Sequence, residues 1–342
     1  MSESAKVVPI RGRSRRERRQ EDDEALRERL RLLEQELERE RRGREGGREG
    51  ALVALARLLE LGASGLSWEN VARLWSAVYF SWHSEELDEF GFDRKFTERI
   101  RPFFEFLYTV WWRVEAAGLE NVPSEGRGLI VSNHSGVLPY DGIMVNIAIR
   151  HEHPARREVR MLALDMFALL PFLAPLLSKT GAVRANQENG ERLLRKGELV
   201  GVFPEGVKGV GKHFKDRYKL ARFGRGGFVR LALRSGAPII PCAVVGAEEI
   251  HPTLAKVNWV GRPLGLPYFP ITPTFPALGP LGLLPLPSKW SIDFADPLPM
   301  ESYGPDAADD PILVNRLSEQ VRQQIQDMID GRLARRRSVW FG

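Results

Sequence analysis

The densest concentration of reactive side chains is Asn133-His134-Ser135-Gly136-Val137-Leu138-Pro139-Tyr140-Asp141-Gly142. His134 follows the apolar run Leu129-Ile130-Val131, which reads as a buried strand. It therefore stands at a strand's C-terminal edge, where open α/β sheets place their ligands. An imidazole titrates near neutrality and can take a proton from an attacking hydroxyl. Asp141, at the predicted start of a helix, can hydrogen-bond the second ring nitrogen if the intervening turn folds back, fixing the tautomer and stabilising the imidazolium. The plainer alternative is that Asp141 caps a helix and His134 is a loop histidine with its hydrogen bonds satisfied.

Two further patterns lie downstream. Phe203-Pro204-Glu205-Gly206 also follows a strand-like run, so Glu205 is placed either to meet a substrate hydroxyl or basic groups around a phosphate, or in an ordinary Pro-Gly surface turn. Gly181-Ala182-Val183-Arg184 is a short extended piece whose arginine suits bidentate phosphate recognition, or a surface ion pair. Three other signals carry less. Gly206-x4-Gly211-Lys212 follows a strand like a phosphate-binding loop, but His213 stands where a Ser or Thr would hold magnesium. Its lysines can still meet phosphate. His151-x-His153 lacks companions for a metal site and reads as an exposed loop, so no metal is expected. No Gly-x-Ser-x-Gly elbow occurs, against a serine hydrolase of that type.

In order, Asn-His…Asp, Gly-x-x-Arg, Phe-Pro-Glu-Gly and Ile240-Pro241 resemble the four blocks of the glycerolipid acyltransferase family, which includes lysophosphatidic acid acyltransferases. The resemblance covers roughly residues 105 to 300. It implies His134 as general base, Asp141 as its partner, and Arg184, Glu205, Gly206 and Lys208 as substrate-binding residues. The reaction implied moves a fatty acyl group from acyl-CoA or acyl carrier protein to a glycerolipid hydroxyl, with no cofactor beyond that donor and no metal. Two departures stand out. The family spaces His and Asp by four residues, whereas six intervene here and Pro139 occupies the usual aspartate position. Val207-Lys208 replaces the frequent Thr-Arg, so charge is kept but the planar fork is lost, leaving neutral acceptors such as diacylglycerol or a long-chain alcohol open.

The elements that must position these residues alternate strand and helix from about residue 113. Leu129–Val131, Leu199–Phe203 and Ile239–Val245 read as strands, and Ile143–Ile149, Glu188–Arg195 and Phe228–Arg234 as helices. This predicts an α/β fold with a mixed, partly parallel sheet flanked by helices, an N-terminal helical region and a C-terminal helix. Residues 1–50 read as an arginine-rich arm and charged helix, 51–115 as helices that pack as core or dock on membrane, 116–300 as the α/β domain, and 301–342 as an amphipathic helix with a basic tail. Phe96–Val114 reads as one helix with an aromatic stripe suited to core packing or to a bilayer interface. Residues 263–288 carry no charge but eight prolines and three glycines, which exclude a spanning helix and suit an acyl pocket wall, a lipid contact or a packed loop.

Hydrophobic content of 43% over 342 residues supports a globular core. One cysteine, Cys242, excludes an internal disulfide and a multi-cysteine metal site. Lys6 and six arginines against Glu3 and Glu17 in residues 1–20 account for the whole formal net charge of +5. Such an arm suits anionic lipid or nucleic acid, or stays a solvated tail; nucleic acid is the less expected partner. The chain opens on polar and basic residues rather than an apolar leader, which predicts a peripheral location on the cytoplasmic side of a membrane. Two rivals remain: a non-catalytic membrane scaffold on the same fold, and nucleic-acid binding through residues 11–19.

Overall fold

The computed structural model describes residues 87–342, apart from 136–137, 165–172, 211, 258, 260–268, 280–281 and 283. The expectations for the arm, the charged helix, the helices before residue 87 and part of the proline-rich segment lie outside these residues. The elements run α1 (Arg94–Phe106), β1 (Glu115–Ala117), β2 (Gly128–Ser132), α2 (Tyr140–Glu152), β3 (Val159–Ala163), α3 (Leu173–Lys179), β4 (Val183–Arg184) and α4 (Gln187–Arg195). They continue with β5 (Leu199–Val202), α5 (Val207–Val210), α6 (Gly227–Ser235), β6 (Ile239–Val245), β7 (Ala255–Val257), β8 (Phe269–Ile271), β9 (Ser291–Phe294) and α7 (Pro311–Arg335).

A seven-stranded sheet has the order β1-β9-β6-β2-β5-β3-β4. β6, β2, β5, β3 and β4 pair in parallel, whereas β9 runs antiparallel to β6 and parallel to β1. The sheet is thus mixed and mostly parallel, flanked by helices, as the alternation predicts. β2 lies between β5 and β6, with Leu129 facing Val200 on one side and Ile239 on the other. All five of its residues are buried, as a strand covered on both faces requires.

Leu129 and Val131 enter a core built with Leu193 and Leu194 of α4, Val229 and Leu233 of α6, and Val314, Leu317, Val321, Ile325 and Ile329 of α7. The apolar face of α7 therefore packs into the same core as β2. Asp310 caps α7 by accepting the Ile312 and Leu313 N–H groups, with Pro311 at the first helical position. Two residues of the expected basic tail turn inward. Arg332 forms a two-pronged pair with Asp293 at 2.7 Å, and Arg336 reaches Glu249 at 2.7 Å.

The single helix expected over Phe96–Val114 is shorter than that. α1 ends at Phe106, a wider π-type turn follows over Leu107–Trp111, and Arg113 leaves it at φ +47°. The extra residue in the turn swings Trp112 inward, where it is 0% exposed and stacks on Trp290 with centroids 4.5 Å apart. Tyr108 is buried as well, donating to Glu152 at 2.5 Å. This part of the aromatic stripe is core packing, and Trp112 has no surface to offer a bilayer. Trp111 and Trp112 donate their ring N–H groups to the carbonyls of Pro285 and Leu286, both at 3.0 Å. The end of the proline-rich segment is therefore a packed loop. No helix among the described residues is long and apolar enough to cross a membrane.

Candidate active site

The C-terminal end of β2 is fixed by Asn133. Its amide donates to the Val244 carbonyl at 2.9 Å, and its side-chain oxygen accepts the Val244 N–H at 2.8 Å. The side chain thus prolongs the β2–β6 ladder by one residue and leaves His134 at a defined point. His134 is 4% exposed. Its Nδ1 lies 2.6 Å from Asp141 Oδ2. The same Oδ2 accepts the Ser135 N–H at 2.8 Å, while Oδ1 accepts the Gly142 N–H at 2.8 Å. In the neutral ring an acceptor-only carboxylate takes the tautomer with the proton on Nδ1, which leaves the lone pair on Nε2. The long spacing is absorbed because Asp141 sits in the first turn of α2, one residue past Tyr140, and the chain folds back so that Ser135 and Asp141 meet. The N-cap of α2 is Pro139 and no side chain caps the helix, so Asp141 is the partner of the imidazole and not the cap. The ring of Phe203, at the end of β5, stacks on the imidazole with centroids 4.4 Å apart and planes 18° apart.

Glu205 reaches the same place from β5. Its Oε1 accepts the backbone N–H of His134 at 3.1 Å and its Oε2 that of Ala221 at 2.7 Å. Lys212 lies 3.0 Å from Glu205 Oε2 and 3.3 Å from Glu248 Oε1. Gly206 turns the chain at φ +56°, a conformation that favours glycine. Lys208 is exposed on α5. Arg184 stands at the C-terminal end of β4, on the same edge of the sheet, with its side chain exposed. Ala182 and Ala185 on either side of it line the cavity described next, and Arg184 does not.

That cavity, of about 470 Å³, has His134 on its wall together with Gly142, Ile143, Met161, Leu164 and Phe203. It follows α2 from Gly142 to Arg150, roughly 12 Å of helix at about 1.5 Å per residue. Ile100 and Phe104 of α1 close it on one side. At the Arg150 end the wall turns polar: Arg150 pairs with Glu98 and lies 2.5 Å from Glu158. The site is therefore a histidine–aspartate pair opening on a long, mostly apolar cavity.

Several features of the site are absent from the sequence reading. Lys212 and Glu248 come together across 36 positions of chain, and Asn133 and Val244 across 111. His153 is buried, against the expected exposed loop. Its Nε2 donates to the Val122 carbonyl at 3.0 Å and its Nδ1 accepts the Ala155 N–H at 3.1 Å, which closes the end of α2 and leaves no lone pair for a metal.

A family model described as Acyltransferase matches residues 113–245. Over 257 residues the chain is 51% identical to an uncharacterized protein of Mycobacterium tuberculosis (strain H37Rv), covering 75% of this chain and 72% of that protein. It is 26% identical over 226 residues to the human "DGAT1/2-independent enzyme synthesizing storage lipids", covering 65% of this chain and 62% of that protein. It is 24% identical over 172 residues to a chloroplastic 1-acyl-sn-glycerol-3-phosphate acyltransferase of Brassica napus, covering 45% of each. The crystal structure of the 1-acyl-sn-glycerophosphate acyltransferase PlsC from Thermotoga maritima superposes with a TM-score of 0.44 at 19% identity, covering 72% of this chain and 83% of that one. Residues 113–245 belong to the Acyltransferase family, and the chain is an acyltransferase.

One electrostatic feature of the site is measurable by itself. Burial pushes the Glu248 carboxyl from an ordinary 4.5 up to about 7, against the pull of Lys212. Between those values the folded protein holds a proton that the unfolded chain has released, so this group makes stability fall as pH rises. Glu248→Gln removes that loss. Urea unfolding at a series of pH values should show the variant gaining on the wild type from about pH 5 to about pH 7, then levelling off. A constant difference across the series would mean that Glu248 ionises normally.

Proposed function

We propose that the protein transfers a fatty acyl group from an acyl thioester, carried by coenzyme A or acyl carrier protein, to a glycerolipid hydroxyl. The observation that carries this reading is the His134–Asp141 pair on the wall of an apolar cavity of acyl-chain proportions. Nε2 of His134 takes the acceptor's hydroxyl proton as the oxygen attacks the thioester carbonyl. The C–S bond then breaks, and the proton passes to the departing thiolate. Asp141 keeps the ring in the required tautomer and stabilises the imidazolium between these steps. The acyl chain lies along α2, where each buried methylene contributes about 0.8 kcal/mol of binding. Arg184 and Lys208, exposed at the same sheet edge, suit a phosphorylated acceptor.

A neutral acceptor is the second reading. It is favoured by Val207-Lys208 in place of Thr-Arg, and by the likeness to the storage-lipid-synthesizing enzyme. Purified protein given radiolabelled acyl-CoA with lysophosphatidic acid, diacylglycerol or a long-chain alcohol separates the acceptors. In the same assay His134→Ala should lose on the order of 100- to 10,000-fold in turnover while its unfolding temperature stays near that of the wild type. Near-normal turnover by a folded variant would remove His134 as the base. Ile100→Trp, which fills the cavity beside its polar end, should move the preference towards shorter acyl thioesters; an unchanged chain-length profile would place the acyl chain elsewhere.

A lipid acceptor must come from a bilayer, and we place the protein peripherally on the cytoplasmic face of one. Leu254, Trp259, Leu278 and Leu284 are each half or more exposed, Trp259 at 79%, and the arginine-rich arm of residues 11–19 adds attraction of about 1 kcal/mol per basic residue near an anionic surface. Co-sedimentation with phosphatidylglycerol-containing liposomes should therefore persist at high salt in a variant lacking residues 1–50. Its appearance in the supernatant at both low and high salt would leave the arm as the membrane contact.

A further inference from the structure

The family resemblance gives Glu205 to the acceptor, yet both oxygens of its carboxylate are engaged by the protein. Oε1 holds the backbone N–H of His134, Oε2 holds that of Ala221, and the Lys212 ammonium lies 3.3 Å from the first and 3.0 Å from the second. The Glu205 side chain is 0% exposed and is not part of the cavity wall. Lys212 in turn bridges to Glu248, itself buried. Burying three ionisable groups is unfavourable unless each is paired and hydrogen-bonded, and the pairing here is continuous.

The chain between them is shaped for this contact. At Gly209 a Cβ would lie 2.8 Å from the Glu205 Cβ and 3.1 Å from the His134 Cβ. Only a glycine lets α5 lie against both residues without a shift. Three residues later Lys212 returns beneath the carboxylate. The spacing that resembles a phosphate-binding loop thus delivers its lysine to Glu205 instead of to a phosphate.

We propose that Glu205, Lys212 and Glu248 are positioning residues for acyl transfer, fixing the main chain at His134 while Asp141 fixes its ring. The proposal rests on His134 acting as the general base. Displacing that main chain by a fraction of an ångström to an ångström moves Nε2 away from the acceptor hydroxyl and leaves acceptor contacts alone.

The test uses the full chain with oleoyl-CoA and lysophosphatidic acid or diacylglycerol, together with NMR of the imidazole nitrogens, in which the His134 signals are assigned by their absence from His134→Ala. Lys212→Met and Glu205→Gln should lower kcat on the order of ten- to a hundredfold. The acceptor KM should stay within about twofold, the pattern of a lost transition-state contribution. The His134 nitrogen signals should shift in both variants, and Lys212→Arg should recover part of the rate. If Lys212→Met does not fold, Glu248→Gln, which keeps the Lys212–Glu205 pair, takes its place with a smaller fall in kcat and a smaller signal shift. A raised acceptor KM at unchanged kcat in Glu205→Gln would return Glu205 to acceptor binding and overturn the proposal. So would folded variants with unmoved His134 signals. Full turnover by His134→Ala is a different failure: it removes the base assignment, and the His134 signals still decide whether the three residues hold that main chain.

Discussion

The rest of the site depends on the two hydrogen bonds between the Asn133 side chain and the backbone of Val244. A parallel strand normally frays where its ladder ends, because the next N–H and C=O have no partner. Here a side chain supplies both groups, so β2 is held one residue beyond its last strand residue. Everything reactive begins at the next position. His134 projects from a fixed base, and the loop to Asp141 needs only to close on itself. The cost of losing this clamp would be two buried, unpaired backbone groups at about 1–3 kcal/mol each.

Two carboxylates share the histidine, and their surroundings divide the labour. Asp141 lies in the first turn of a helix, where backbone N–H groups and the helix dipole favour a negative charge. That charge is available to the ring. Glu205 lies beneath the loop, surrounded by backbone N–H groups and a lysine, and its charge is neutralised locally. One carboxylate thus acts on the part of His134 that reacts and the other on the part that must stay still. Cys242, whose thiol burial pushes well above its ordinary range, lies beside them on β6 as inert packing.

The central elements were legible because each is a strong local signal. β2, β5 and β6 are continuous apolar runs, and α2, α4 and α6 lie where helical spacing puts them, within a few residues at either end. The missing strands had no such signal. β3 carries Arg160 within five residues, and β1 and β9 are three and four residues long, defined by pairing (β1 with β9, and β9 also with β6) rather than by composition. The aromatic stripe around Trp112 has the same appearance whether it meets lipid or another indole, and the deciding partner, Trp290, is distant in sequence. Glu205 was placed correctly at a strand end, but what its carboxylate touches depends on Lys212 and Ala221, which no local pattern links to it. Charged residues that pair across long loops are the least visible part of a site.

The stacked indoles of Trp112 and Trp290 give the molecule an optical property. Two chromophores stacked 4.5 Å apart with their planes 21° from parallel couple when excited, and the ring of Tyr140 meets Trp112 edge-on at 5.2 Å. Tyr140 is the first residue of α2, next to Asp141. The near-ultraviolet dichroism of this trio therefore reports on the start of the helix that orients His134. Closure or distortion of the site can be followed with light, in unlabelled protein and without turnover.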